Sequence, residues 1–161
     1  MDFDNDVQED AMFNYAKLAF ELSFNPFHEA IDAFESYLRK YPGSSRHDEA
    51  YEFLLNVYMK TKAYERAMAA LDQIREKDLR IRQAYQVVAY NRGVELFRSE
   101  NYTRADSLFK RSMLYPVDAN MHAECIFWQA EIAYRSQRYE NAIEIYNHFL
   151  ITPGAHTSSL R

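Results

Sequence analysis

The chain is short of residues that break helices: it has three glycines and four prolines in 161 residues. A β-sandwich or barrel of this length needs a turn every few residues, so this scarcity argues against an all-β fold and for long helices. Cysteine is nearly absent. Cys125 stands alone, so no internal disulfide can form, and a single thiol does not identify a redox compartment. No window approaches 18 consecutive apolar residues, so no segment reads as a membrane-spanning helix. The opening residues, MDFDNDVQED, are acidic and lack the apolar core of a signal peptide. An excess of positive charge is missing too, with a net charge of −5. The most basic stretch, Arg75 to Arg82 (REKDLRIR), is diluted by Glu76 and Asp78 and reads as a solvated helix end and turn. Nucleic acid is therefore not an expected partner, and neither is direct insertion into a membrane.

What is present is a pattern written four times. Ala30, Ala67, Ala105 and Ala142 are separated by 37, 38 and 37 residues. An aromatic residue precedes each by three places: Phe27, Tyr64, Tyr102 and Tyr139. A large apolar residue follows each by four: Phe34, Leu71, Phe109 and Tyr146. A fixed period of this size marks a solenoid of stacked units rather than one globular core. Around each anchor the apolar residues recur at helical spacing, as in Ala30, Phe34, Tyr37 and Leu38, or Ala142, Ile145, Tyr146 and Phe149. These are the second helices of four units. Asn25-Pro26 opens the first of them, and Pro42, Pro116 and Pro153 mark chain breaks after three. First helices are expected at about 8–24, 47–61, 79–99 and 118–136. The turns within units are short and polar: Thr61-Lys62, Ser99-Glu100-Asn101 and Ser136-Gln137-Arg138. The small anchor sits where two helices cross closely, the large residue fills the space beside it, and the aromatic packs under the turn. The units run over about 8–43, 44–78, 79–116 and 117–154.

This pattern resembles the tetratricopeptide repeat, with its small residue in the first helix, its A-x3-F step and its closing proline. Gly93 and Leu96 take the first-helix places before Ala105, Ala130 takes the small place before Ala142, and Leu55 and Tyr58 precede Ala67. The usual Trp place instead holds Phe13, Tyr51, Ala89 and Ile126. The turn around Ser23-Phe24-Asn25 is about one residue longer than the others. The period also exceeds the family's roughly 34 residues, which implies slightly longer helices and loops. The resemblance implies an all-α, right-handed α-α superhelix of about four helix pairs. Tyr41-Pro42-Gly43-Ser44-Ser45, followed by Glu49-Ala50-Tyr51, is similar to the Y-P-x-S linkers of bacterial envelope repeat proteins, including those of Bacteroides-type bacteria. That second resemblance implies a bacterial cell envelope setting, in the periplasm. Thr152-Pro153-Gly154-Ala155-His156 repeats the style of the 41–45 linker, so 155–161 reads as the start of a truncated fifth unit and the sequence as a segment of a longer protein.

No chemistry stands out. His122 and Cys125 lie three apart on one helix, but zinc needs two further ligands, and Cys125 reads as a small buried hydrophobe at a unit interface. The carboxylates, among them Glu35, Glu52, Glu124, Glu131 and Glu144, form no paired acid and base. There is no phosphate-binding glycine loop, no G-x-S-x-G and no H-E-x-x-H. Neither catalysis nor a cofactor is expected. The thirteen Tyr and eleven Phe exceed what the anchors consume. On the family geometry the first helices line a concave face. Its expected places are Glu52, Asn56 and Met59 in the second unit, Tyr90, Val94 and Phe97 in the third, and Phe127, Glu131 and Tyr134 in the fourth. If exposed, these make an aromatic and acidic groove; the competing reading is packing against neighbouring units. Family members that hold a peptide carboxylate carry Lys, Arg and Asn at such places, so binding of chaperone tails is not expected here. The expected function is binding of a peptide or protein partner on the concave face. A spacer within a longer solenoid is the alternative. The apolar surface of 141–151 is expected to self-associate through the uncapped C-terminal unit, or to be covered by the tail 157–161.

Overall fold

The computed structural model describes residues 3–22, 27–74, 77–158 and 160. Among them are eight α-helices and no strand. Two compact units divide the chain, Met1–Ala63 and Tyr64–Arg161. The first holds α1 (Phe3–Leu22), α2 (Phe27–Lys40) and α3 (His47–Thr61). The second holds α4 (Tyr64–Gln73), α5 (Leu79–Arg98), α6 (Tyr102–Ser112), α7 (Ala119–Arg135) and α8 (Tyr139–Ile151). The division falls between α3 and α4, inside the second sequence repeat. The Asn25-Pro26 start, the 23–25 turn and Arg75-Glu76 lie outside the described residues, as does the side chain of Phe27.

The four anchors behave as their spacing requires: Ala30, Ala67, Ala105 and Ala142 are all buried. In the second unit the reason is visible at Gly93. A Cβ built there would lie 2.7 Å from Cε1 and 2.9 Å from Cδ1 of Phe109, so α5 and α6 approach too closely for a larger residue. The aromatic before each anchor behaves less uniformly. Tyr64 is buried and Tyr102 packs on Phe97 with ring centroids 5.4 Å apart, but Tyr139 is exposed, edge-on to Tyr134. It therefore does not pack under its turn.

Three turns within repeats, among the described residues, share one geometry without glycine. Lys62, Glu100 and Gln137, each five places before an anchor, all have positive φ (56°, 61° and 61°). The next residue closes each turn by donating its N–H five residues back: Ala63 to Tyr58, Asn101 to Leu96 and Arg138 to Ala133. This is the Schellman way of satisfying the orphan carbonyls of a helix end, made here with residues that bear some strain in αL. Starts are capped where the chain permits. The Asp78 carboxylate accepts from the Ile81 N–H at 2.9 Å, and that of Asp118 accepts from Asn120 and Met121.

Long connections are held by buried polar groups. Gln86 is fully buried on α5, and its amide clamps the backbone of Asp118: Nε2 donates to the Asp118 carbonyl at 2.9 Å, and Oε1 accepts from its N–H at 2.8 Å. Ser112 donates to the Gln86 carbonyl at 2.9 Å. One side chain thus sets where α7 begins. In the first unit, the Tyr37 hydroxyl donates to Glu9 at 3.0 Å and lies 2.7 Å from the Ser44 hydroxyl. Ser44 also donates to Glu9, and Arg46 pairs with Asp10 at 2.7 Å, so the 41–46 linker is tied back to α1.

The residues after α8 form a short 3-10 turn, Ala155–Thr157, against α7 and α8. Ala155 is buried with Ala123, Ile126 and Phe149. Gly154 has φ 93°, and a Cβ there would lie 2.3 Å from the Ala119 carbonyl oxygen, so only glycine fits. Thr157 donates to the Asn120 side chain at 2.7 Å and Ser158 to Glu124 at 3.1 Å. The tail therefore rests on the first turns of α7 and leaves Ile143, Leu150 and Ile151 exposed.

Candidate partner-binding surface

The first-helix places sort into two groups by burial. On α3 the inner face takes Ala50, Leu54, Val57 and Tyr58 into the core. Glu52 and Asn56 are consequently exposed, and Met59 is half-buried. On α5 and α7 the corresponding places are mostly packed. The Tyr90 hydroxyl donates to the Glu124 carboxylate at 2.6 Å and accepts from the Trp128 indole N–H at 3.3 Å. Burial, then the bond to Glu124, pushes the Tyr90 phenol well above its ordinary range. Val94 and Phe97 pack against the cluster of Leu96, Ala105, Phe109, Cys125 and Ile132. The Phe97 ring lies 4.9 Å from Trp128. Phe127 is edge-on to Trp128, Tyr146 and Phe149 at 5.5–5.8 Å. Glu131 accepts from the Tyr146 hydroxyl, and Arg135 lies 4.0 Å from it. Tyr134 alone of this group is exposed, at 53%.

The unit thus carries a connected aromatic array, with Tyr90, Phe97, Phe109 and Phe127 gathered around Trp128 and Tyr134 outside it. Trp128, the sole tryptophan, had not been singled out in the sequence. The signal for it was present: Trp128 stands two places after Ile126, as Phe53 stands two places after Tyr51. Each lies nearly flat on the large residue of the preceding second helix, Phe53 on Phe34 (5.5 Å, 7°) and Trp128 on Phe109 (6.3 Å, 6°). Glu124 looked like solvated background in the sequence, yet it takes both the Tyr90 and the Ser158 hydroxyls.

Three clefts in the second unit bring polar side chains together. A cleft of about 350 Å³ between α6, α7 and α8 contains Asp106, Lys110, Gln129 and Arg138. Asp106 is already satisfied by Lys110 at 2.7 Å and by the Gln129 amide at 2.9 Å. A smaller one between α4, α5 and α6 gathers Arg92, Arg104 and Arg111. Glu65 pairs with the first two and Asp72 with the third. A third, of about 380 Å³, is lined by Pro116, Ala119, His122, His148, Ile151, Thr152 and Pro153. Nδ1 of His122 is buried there without a hydrogen-bond partner. Burial, then the nearby His148, lowers the His122 pKa below its ordinary value. Cys125 lies in the core instead. Burial pushes its thiol up to about 12, which leaves it unreactive as a nucleophile. Among the described residues, no group of three or more His, Cys, Asp or Glu is placed to hold a metal ion, and no helix is long and apolar enough to cross a membrane.

No curated protein and no solved structure matches the chain. Residues 10–44, which take in most of α1, all of α2 and the first part of the linker that follows, match the tetratricopeptide repeat family.

Proposed function

We propose that the chain is a protein-interaction module that offers the outer face of its first helices to a peptide or protein segment and performs no chemistry itself. The repeat match and the all-helical build support a protein partner in general, because stacked helix pairs serve as extended binding surfaces. The observation that carries the reading is Tyr134. It stands exposed on α7, three residues after Glu131 and edge-on to the exposed Tyr139. Aromatic anchors on a rigid support supply contact area at little entropic cost. On α3, Glu52 and Asn56 are the matching exposed places. The favoured ligand is a basic segment with an aromatic or aliphatic anchor, since Glu131 accompanies Tyr134 on α7 and, in the other unit, Glu52 is exposed on α3. A periplasmic, bacterial envelope setting, from the likeness of the 41–45 linker, belongs to the same reading.

A panel of basic and acidic peptides, with and without aromatic residues, titrated by amide NMR, tests the proposal. Basic peptides should shift resonances of α3 or α7. Tyr134→Ala should weaken the best ligand about tenfold, the size of a lost anchor. Ligands that ignore Tyr134→Ala, Asn56→Ala and Glu52→Lys alike would refute this face. A chain that binds none of the panel would favour the spacer role.

A further inference from the structure

The cleft between α6, α7 and α8 is built from two matched stripes over an apolar floor. On α6, Thr103, Asp106 and Lys110 recur at i, i+3 and i+7, so they share one helix face. Arg138, Asn141 and Ile145 follow the same spacing from the start of α8 and line the cleft from that side. The floor comes from α7, where Ile132 is buried, and from the half-buried Ile145. Tyr102, held against Phe97, also lines it. The volume of about 350 Å³ is within the range of sites that bury a bound group.

The charges in this cleft do not balance. Asp106 is the one carboxylate among its lining residues, and it is already taken: Lys110 Nζ lies 2.7 Å from it and the Gln129 amide donates to it at 2.9 Å. Arg138 is left over. It stands at the N-cap of α8, its side chain makes no capping bond, and among the described residues it pairs with no carboxylate. A guanidinium offers five N–H donors in a planar fork that matches a carboxylate. Thr103, Ser136 and Asn141 line the same cleft, and their side chains are likewise without a partner among the described residues. Four side chains able to donate therefore converge on a space whose own acid is spent.

We propose that this cleft is a second interaction site, separate from the first-helix face, and that its occupant is an acidic segment of a protein partner. A carboxylate side chain enters between α6 and α8. Arg138 donates to it, Asn141 and the hydroxyls of Thr103 and Ser136 fix its orientation, and its methylenes lie on Ile132 and Ile145. The cleft is a groove between two helices and not an enclosed cavity, so it suits a side chain presented by a polypeptide. Charge complementarity selects the occupant: a basic segment, which the first-helix face favours, is repelled here by Arg138 and Lys110. Because Arg138 is exposed, the ion pair is modest and screened by salt, so binding falls as ionic strength rises.

Titration of the full chain with three probes, read by amide NMR, tests this: a short peptide of Glu and Leu, its counterpart of Gln and Leu, and free glutarate. The Glu peptide should shift the amides of Thr103, Ser136 and Asn141, and added salt should weaken it. The Gln peptide should leave those amides in place. Arg138→Gln, at an exposed position that folding does not depend on, should weaken the Glu peptide about fivefold, the upper range for an exposed ion pair. Asp106→Asn should tighten it by releasing Lys110. Equal binding of the Glu and Gln peptides overturns the proposal, and so does a Glu peptide that binds Arg138→Gln as it binds the wild type. A Glu peptide that does not bind at all overturns it too. Glutarate that binds as tightly as the Glu peptide overturns the protein partner and assigns the cleft to a small organic acid.

Discussion

Replacing Gly93 with alanine sets two known effects against each other. In an isolated helix the change is favourable by about 1 kcal/mol, because alanine loses less backbone entropy on folding. At this position the added methyl falls 2.7, 2.9 and 3.1 Å from three carbons of the Phe109 ring. The ring has no free direction in which to retreat. Phe109 is fully buried, stacked on Trp128 at 6.3 Å and tilted against Tyr90 at 6.2 Å. Forcing a methyl into such a core costs about 1–3 kcal/mol. The net effect of Gly93→Ala is then a loss of about 1 kcal/mol, or about 2–4 °C in Tm for a chain of this size. The sharper expectation lies in its dependence on Phe109. In a Phe109→Leu background the ring is gone, the helix preference is unopposed, and the same Gly93→Ala change should stabilise by several tenths of a kcal/mol. Urea unfolding followed by Trp128 fluorescence reads this site directly, because the only tryptophan lies on Phe109. A Gly93→Ala protein stabilised by the full helix-propensity gain in the wild-type background would show that the α5–α6 approach does not demand glycine.

Three further outcomes follow from buried groups. Gln86→Leu should destabilise by about 1–3 kcal/mol by leaving the N–H and C=O of Asp118 unpaired, and hydrogen exchange should rise first at the start of α7; unchanged protection there would contradict the clamp. Cys125 should react with thiol reagents only as fast as the chain opens, so labelling of the native protein at the rate of a free thiol would refute its burial. Because His122 has a lowered pKa in the folded chain, the unfolded chain binds its proton more readily. Stability should therefore fall as pH drops below the unfolded value of 6.5, and His122→Asn should remove that part of the loss, as measured by thermal melts from pH 7 to 5.

The repeat was legible in the sequence because its signal is local. A small residue at fixed period, with a large one four places on, reports a helix crossing wherever it occurs, and Ala30, Ala67, Ala105 and Ala142 are all buried. Helix bounds came close for the same reason. The expected 47–61 matches α3, and 79–99 and 118–136 differ by a residue from α5 and α7, while α1 starts earlier than expected, at Phe3. The candidate surface was less legible. Helical period groups Tyr90, Val94 and Phe97, or Phe127, Glu131 and Tyr134, but says nothing of whether a neighbour covers them. Trp128, two helices and 38 residues further along the chain than Tyr90, draws Tyr90 and Phe97 inward, and Tyr146 occupies Glu131.

The sequence by itself determined the helices, and the pairing of α1 with α2, of α5 with α6 and of α7 with α8. Those follow from spacing along one chain, since side chains three and four residues apart share a helix face. Only the tertiary structure decided which apolar faces are closed and which stay open. It placed the Gln86 amide against Asp118, seated the tail on α7, and left Tyr15 and Ile143 exposed. Burial is a property of what lies opposite a residue, and residues far apart in the chain supply that opposite surface.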